Sequence, residues 1–183
     1  MANTQALRDL QTRLAERLQQ VRTETPGVSW LAVDCAGQGL LLPLKQAGEI
    51  FQLGPLLPVP RTRPWLAGVV NLRGGVTTVV DLARFLGLRD TTLAPLPGVR
   101  GPSRLVAFNT ALGINCALLF DKLEGLRHAA DLVAEAQAGE PAPDDAPRPA
   151  FAPARWRDAA GRWWQEIDLA ALAQWPQFLA ITD

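Results

Sequence analysis

The chain has no tyrosine, a single histidine (His128) and only two serines, Ser29 and Ser103. These shortages leave little from which to build a catalytic site. A Ser/His/Asp relay would have to join His128 to Ser103, and neither lies in a nucleophile-elbow context. Cys35 and Cys116 are far apart and form no C-x-x-C pair, so they read as small buried thiols of a reduced protein. One histidine and two distant thiols make no recognisable metal site. Glu140, Asp144 and Asp145 fall in a proline-rich stretch, where a solvated acidic run explains them. Phosphate cradles of the G-x-x-x-x-G-K-[ST] or G-x-G-x-x-G type are missing, and Arg73-Gly74-Gly75 reads as a turn. Excess charge is lacking too. Eighteen basic and 18 acidic residues cancel, which argues against nucleic acid as the main partner. The densest basic spot, Arg61 and Arg63 between prolines, reads as a solvated loop. There is no signal-type apolar core at the N-terminus and no run of membrane-spanning length. The expectation is a cytoplasmic, non-enzymatic protein with no cofactor, no metal and no insertion into the membrane.

What is present suits binding. At 183 residues and 48% apolar composition, the chain can form one ordinary domain or two small units sharing a core. Leu7, Leu10, Leu14, Leu18 and Val21 recur at helical spacing, which predicts an amphipathic helix within residues 1–26, ended by Pro26-Gly27. Its stripe is narrow and needs a partner surface, either its own domain or another molecule. Residues 27–183 form the remaining domain. Short β-type runs occupy 29–35 and 39–44 around a turn at 36–39, and 47–51 is expected to extend the second strand. Residues 54–64 read as extended, 89–103 as a polar connector, and 104–109 and 114–120 as strands. Residues 121–132 fit either strand or loop. Five prolines mark 138–153 as an excursion. The C-terminal part reads as a turn at 158–161, a strand at 162–167 and a short helix capped by Asp168 and ended by Trp175-Pro176. Four of the six tryptophans lie between residues 156 and 175; most are expected in the core, with interface use as the alternative.

Residues 65–88, WLAGVVNLRGGVTTVVDLARFLGL, form the most distinctive stretch. Two apolar runs flank a turn at Asn71-Leu72-Arg73-Gly74-Gly75, and Asp81 caps a helix that Gly87 stops. A weak internal repeat sets this stretch in context. Leu31 precedes Gly39 by eight residues, as Leu105 precedes Gly113; Gly74 precedes Asp81-Leu82-Ala83 by seven, as Gly161 precedes Asp168-Leu169-Ala170. The order is the same in both halves, so two similar β-rich units are expected. Opposite Asn71-Leu72-Arg73-Gly74 the second half has Asp158-Ala159-Ala160-Gly161, which suggests a role for Asn71 and Arg73 in one copy only.

Gly68-Val69-Val70-Asn71-Leu72-Arg73-Gly74, with Val79-Val80-Asp81-Leu82 and Phe85-Leu86-Gly87-Leu88 after it, resembles the signature segment of CheW-like chemotaxis coupling proteins. Gly48-Glu49-Ile50, Val59-Pro60 and the run from Leu118 to Leu123 agree with it. The amphipathic N-terminal segment and tryptophan-rich C-terminal hairpin look more like the PilI type, found in type IV pilus (twitching motility) signalling. The resemblance implies a mainly β fold of two packed SH3-like five-stranded β-barrels with short helices, one barrel centred on 28–88 and the other on 104–183, with strand exchange between them left open. It implies an adaptor linking a chemoreceptor cytoplasmic tip to the regulatory domain of a CheA-type histidine kinase, in arrays at the inner face of the membrane. Ala47, Gly68 and Arg73 fall at positions the family uses for contacts, with Glu49, Val69, Asn71, Leu72 and Gly74 beside them. Thr78 stands where the family usually has proline, and Ala47 where a larger aliphatic is usual. Three rival readings stand beside this one, the last a small-molecule hydrolase or binder, which would need a deep pocket around His128. In the first, Arg73 is structural and bonds backbone carbonyls. In the second, the protein is a β-barrel interaction module of another assembly that docks or dimerises through the N-terminal helix.

Overall fold

The structure is a computed structural model that describes residues 27–90, 104–137 and 148–182. The expected N-terminal helix, most of the 89–103 connector and the middle of the proline-rich excursion lie outside the described residues. Eleven strands run through the described part. In the first half they are β1 (Ser29–Cys35), β2 (Gln38–Pro43), β3 (Ala47–Gln52), β4 (Leu66–Leu72) and β5 (Gly75–Asp81), followed by the short helix α1 (Leu82–Phe85). In the second half they are β6 (Arg104–Phe108), β7 (Cys116–Phe120), β8 (Lys122–His128), β9 (Leu132–Ala134), β10 (Arg155–Asp158) and β11 (Trp163–Glu166). Helices α2 (Leu169–Ala173) and α3 (Pro176–Leu179) follow.

The strands form two sheets, in the orders β8-β1-β2-β11-β10-β9 and β3-β6-β7-β5-β4. The sequence repeat maps onto them. Hairpin β1–β2 corresponds to β6–β7, and the β11-to-α2 step corresponds to β5-to-α1. In each sheet one parallel pairing, β11 with β2 or β5 with β7, joins the hairpin to the other strands. Each hairpin sits in the opposite sheet from the rest of its own half. The sheets therefore do not divide the chain into 28–88 and 104–183; the halves exchange their first hairpins. Two expectations change. One sheet has six strands rather than five, because β9 pairs outside β10. At the equivalent edge of the other sheet there is only the single bridge Leu57↔Val69. Residues 47–52 do not extend β2 but start the other sheet. Residues 121–132 resolve into β8, a 3₁₀ turn at Ala129–Asp131 and the start of β9.

Both sheets curl. Six flat strands would hold the edges β8 and β9 about 24 Å apart at the usual strand spacing. The Ala129–Asp131 turn that joins them reaches only about 14 Å. The sheet must roll until its edges approach.

Strand alternation distributes the core. On β1, Trp30 and Ala32 face a small cluster inside the six-stranded sheet with Leu41, Leu132 and Trp164, while Leu31, Val33 and Cys35 face the region between sheets. On β7, Ala117 and Leu119 line the five-stranded sheet's own cluster, whereas Cys116, Leu118 and Phe120 face the shared one. Strands buried on both faces read as continuous apolar runs, which is the texture of these segments. Of the six tryptophans, Trp30 and Trp164 are fully buried; the other four are half-buried rather than in the core.

Candidate partner-binding site

The site is built on the β4–β5 hairpin. Leu72 pairs with Gly75, leaving a two-residue loop of Arg73 and Gly74 with φ of 51° and 85°. Two positive φ angles in succession make a turn whose twist matches the flanking strands. Glycine takes this conformation freely, but arginine does so at a cost of about 1–2 kcal/mol. Asn71 closes the loop, its Oδ1 accepting from the Gly74 N–H at 2.8 Å. The Arg73 side chain is 74% exposed, and its Nη2 donates to Glu49 Oε1 at 2.6 Å. Glu49 lies in a bulge of β3, where the register with β6 shifts between Ala47 and Ile50. Since β3 and β4 are opposite edges of the sheet, this ion pair marks where the sheet curls round to meet itself. The structural reading of Arg73 as a carbonyl-bonding residue does not match this geometry: its bond goes to a carboxylate on the surface.

The other predicted residues divide between surface and interior. Val69 exchanges both backbone hydrogen bonds with Leu57, each 2.9 Å, and Gly68 lies directly beneath that crossing segment. With φ of 138°, a Cβ at Gly68 would stand 2.4 Å from the Leu57 carbonyl oxygen. Ala47 is 8% exposed and belongs to the shared core, so it offers a partner almost nothing directly. Leu72 is half-buried against the five-stranded sheet's cluster. Cross-strand pairing puts Leu57, Val69, Asn71 and Val76 on one outward face. There Leu57 and Val76 are 67% and 68% exposed, an apolar surface beside Arg73 and Glu49 that the sequence reading did not include. Their signal was present only as apolar residues flanking a turn. Thr78 lies on the inner strand β5, and its N–H donates to Asn115 O at 3.3 Å, a bond that proline could not make.

The second copy corrects one inference. Asp158 Oδ1 accepts from the Ala160 and Arg162 N–H groups at 3.0 and 2.9 Å, the same loop-closing work that Asn71 does. Arg162 bonds Asp34 of the inner strand β1 at 2.6 Å and lies 3.7 Å from Glu124 of β8, the edge strand equivalent to β3. A loop-closing side chain is thus common to both copies, Asn71 in one and Asp158 in the other. Peculiar to the first is the position of the arginine, at the tip of the loop and in a left-handed conformation.

Nothing nearby suggests catalysis. Ser29 Oγ and His128 Nδ1 are 2.9 Å apart, a pairing the sequence did not reveal, yet the Asp131 carboxylate takes the His128 backbone N–H rather than completing a relay through the ring. Burial raises the pKa of Cys35, helped by the charges of Asp121, Asp81 and Asp34, and pushes that of Cys116 up to about 12. Both thiols are protonated and unreactive. Among the described residues no three potential metal ligands cluster, and no helix is long and apolar enough to cross a membrane.

A double curled-sheet protein with an exposed charged tip and, among the described residues, no assembled catalytic group has the form of an interaction module. The chain belongs to the CheW-like domain family, whose pattern matches residues 29–177; this is a family of non-enzymatic scaffolding proteins. It is 28% identical to the protein PilI of Pseudomonas aeruginosa over 116 residues, covering 63% of this chain and 61% of that one. It is 33% identical to the chemotaxis protein CheW of Thermotoga maritima over 58 residues, covering 32% and 38%. It is 37% identical to the protein FrzA of Myxococcus xanthus over 54 residues, covering 30% and 34%. The matches thus span under two thirds of the length of these relatives. The crystal structure of the scaffolding protein TtCheW from Thermoanaerobacter tengcongensis shares the fold, with a TM-score of 0.60 at 17% identity over 80% of this chain and 88% of that one.

Proposed function

We propose that this protein is an adaptor that couples the cytoplasmic tip of a chemoreceptor to the regulatory domain of a CheA-type histidine kinase, in type IV pilus signalling. Family membership supports the adaptor role, and similarity to PilI supports the pilus system. The observation that carries the site is Arg73. Its backbone is held at a φ of 51°. An exposed ion pair such as Arg73–Glu49 contributes about 0–1 kcal/mol, less than the conformation costs. The fold would be at least as stable with glycine there. A residue kept against stability in an exposed, charged position beside Leu57 and Val76 is suited to contacting a partner.

The test is titration calorimetry of the purified chain against a chemoreceptor cytoplasmic tip and a CheA-type regulatory domain from the same organism. Binding to both is expected; binding to neither would sink the proposal. Arg73→Gly is expected to leave the melting temperature unchanged or raise it, while weakening receptor-tip binding about tenfold. If the variant binds the tip normally, Arg73 does not make the contact.

A further inference from the structure

Glu49 sits on an irregularity of β3. Ala47 pairs with Phe108 and Ile50 with Val106, so three steps along β3 match two along β6. Gly48 and Glu49 therefore share the place opposite Ala107, a β-bulge with one residue more than a regular ladder holds. The faces agree with that count. Ala47 and Ile50 both turn to the shared core, with Val106 and Phe108, although residues three apart in a regular strand point opposite ways. Beyond the bulge alternation resumes, and Phe51 and Leu105 face the five-stranded sheet's own cluster.

The bulge packs close against β6, and a glycine allows it. A Cβ on Gly48 would stand 2.9 Å from the carbonyl oxygens of both Ala107 and Phe108. Regular pairing encloses the bulge: the Asn109 N–H donates to Gln46 O at 2.9 Å before it, and Ile50, Phe51 and Gln52 pair with β6 after it. Removing one residue between Ala47 and Ile50 would keep all of those partners in register and leave Glu49 alone opposite Ala107. The core therefore does not need the extra residue. A bulge interrupts the ladder and bends its strand, and such bends re-aim side chains. The side chain in question is Glu49. Strands β3 and β4 are opposite edges and do not pair, yet the Glu49 carboxylate reaches Arg73 Nη2 at 2.6 Å. A shift by one strand position, about 3.3 Å, would break that contact.

We propose that Gly48 is a positioning residue of the partner-contacting tip: as the inserted residue of the β3 bulge, it aims Glu49 at Arg73 and so orients the guanidinium for a partner. Its functional half rests on the reading of Arg73 as a partner contact. The aiming of Glu49 can be read without any partner.

The test compares the full chain with the deletion of Gly48, with Glu49→Gln, and with a chain carrying both changes. Nitrogen NMR of the Arg73 guanidinium reports the ion pair, and calorimetric titration with a chemoreceptor cytoplasmic tip reports its use. The deletion is expected to melt cooperatively at or above the parent's temperature and to move the Arg73 signals to where Glu49→Gln puts them. It is expected to weaken tip binding about fivefold, as Glu49→Gln does. The two changes together are expected to weaken it no further than either alone. The proposal is overturned if the deleted chain does not fold, because the bulge then belongs to the sheet. It is equally overturned if the chain folds with its Arg73 signals unmoved, or if the two changes weaken binding multiplicatively. If the parent does not bind the tip at all, the reading of Arg73 as a receptor contact fails, and the NMR comparison still decides whether Gly48 aims Glu49.

Discussion

At the scale of single residues, the signature segment mixes positions that hold the fold with positions that face outward. Gly68 belongs to the first kind. A methyl group there would stand 2.4 Å from the Leu57 carbonyl oxygen, and that oxygen is pinned by its hydrogen bond to Val69. Gly68→Ala must push the crossing segment off β4 or bend the strand. It is expected to destabilise the protein by about 2–4 kcal/mol, read as a lower urea midpoint. A loss of partner binding in that variant would then reflect the fold. Asp158 makes a second residue-level prediction. Partial burial by itself raises its pKa, but hydrogen bonds from the Trp164 indole and from the Arg162 and Ala160 N–H groups outweigh that and hold it below the usual value. A depressed carboxylate stabilises the fold fully above its unfolded pKa of about 3.9, and that contribution disappears as pH falls through the lower folded value. Asp158→Asn is therefore expected to flatten the acid limb of a stability-versus-pH curve below about pH 4, with little change in slope near neutrality. An unchanged acid limb would remove Asp158 from the account.

At the scale of elements, the two short helices compare the same device in two settings. Asp168 caps α2 by accepting from the Ala170 and Ala171 N–H groups at 2.9 and 3.0 Å, and Gln46 ties the same carboxylate to the β2–β3 connection. Asp81 caps α1 through the Arg84 N–H at 3.1 Å, but it is 1% exposed and also neutralises Arg84 and Arg89. Replacing Asp168 by alanine removes a cap, at about 1–2 kcal/mol. Replacing Asp81 removes a cap and with it a buried carboxylate that faces both Arg84 and Arg89, so about 3–5 kcal/mol is expected. Chemical denaturation of the two variants should separate them clearly. Both caps were legible in the sequence, because an aspartate before an apolar helical run and after a β-branched or aromatic strand is a local signal. The strand runs, the hairpin turns and the twofold repeat were legible for the same reason. Less local features were not. Nothing within residues 47–52 says that they pair with Val106 and Phe108 rather than continue β2. Nor does any short pattern announce that Arg73 would meet Glu49, 24 positions away, or that Leu57 would cover Gly68. Those depend on how the sheets curl, which is a property of the closed assembly.

At the scale of the whole molecule, the exchanged hairpins have a consequence for folding. If each half of the chain formed its own sheet, the two could melt separately. Here β1 and β2 complete a sheet otherwise made by the second half, and β6 and β7 complete one otherwise made by the first. The shared core draws on strands of both, including Leu31, Leu42, Val80, Val106, Leu118 and Ile167. Neither sheet can lose its ordered strands without breaking pairings in the other half, so one cooperative transition is expected despite the twofold plan. Calorimetry should give equal calorimetric and van't Hoff enthalpies for the full chain. Fragments 27–90 and 104–182, each containing one repeat, should be largely unfolded alone, because each lacks the hairpin that completes its sheet. Mixed, they should regain β-sheet signal by reciprocal pairing. Two resolved melting transitions, or a fragment that folds by itself, would show that the exchange does not couple the halves. The adaptor reading makes the same demand of the fold. A charged tip on the five-stranded sheet can influence contacts made by the six-stranded one only if the two sheets behave as one body.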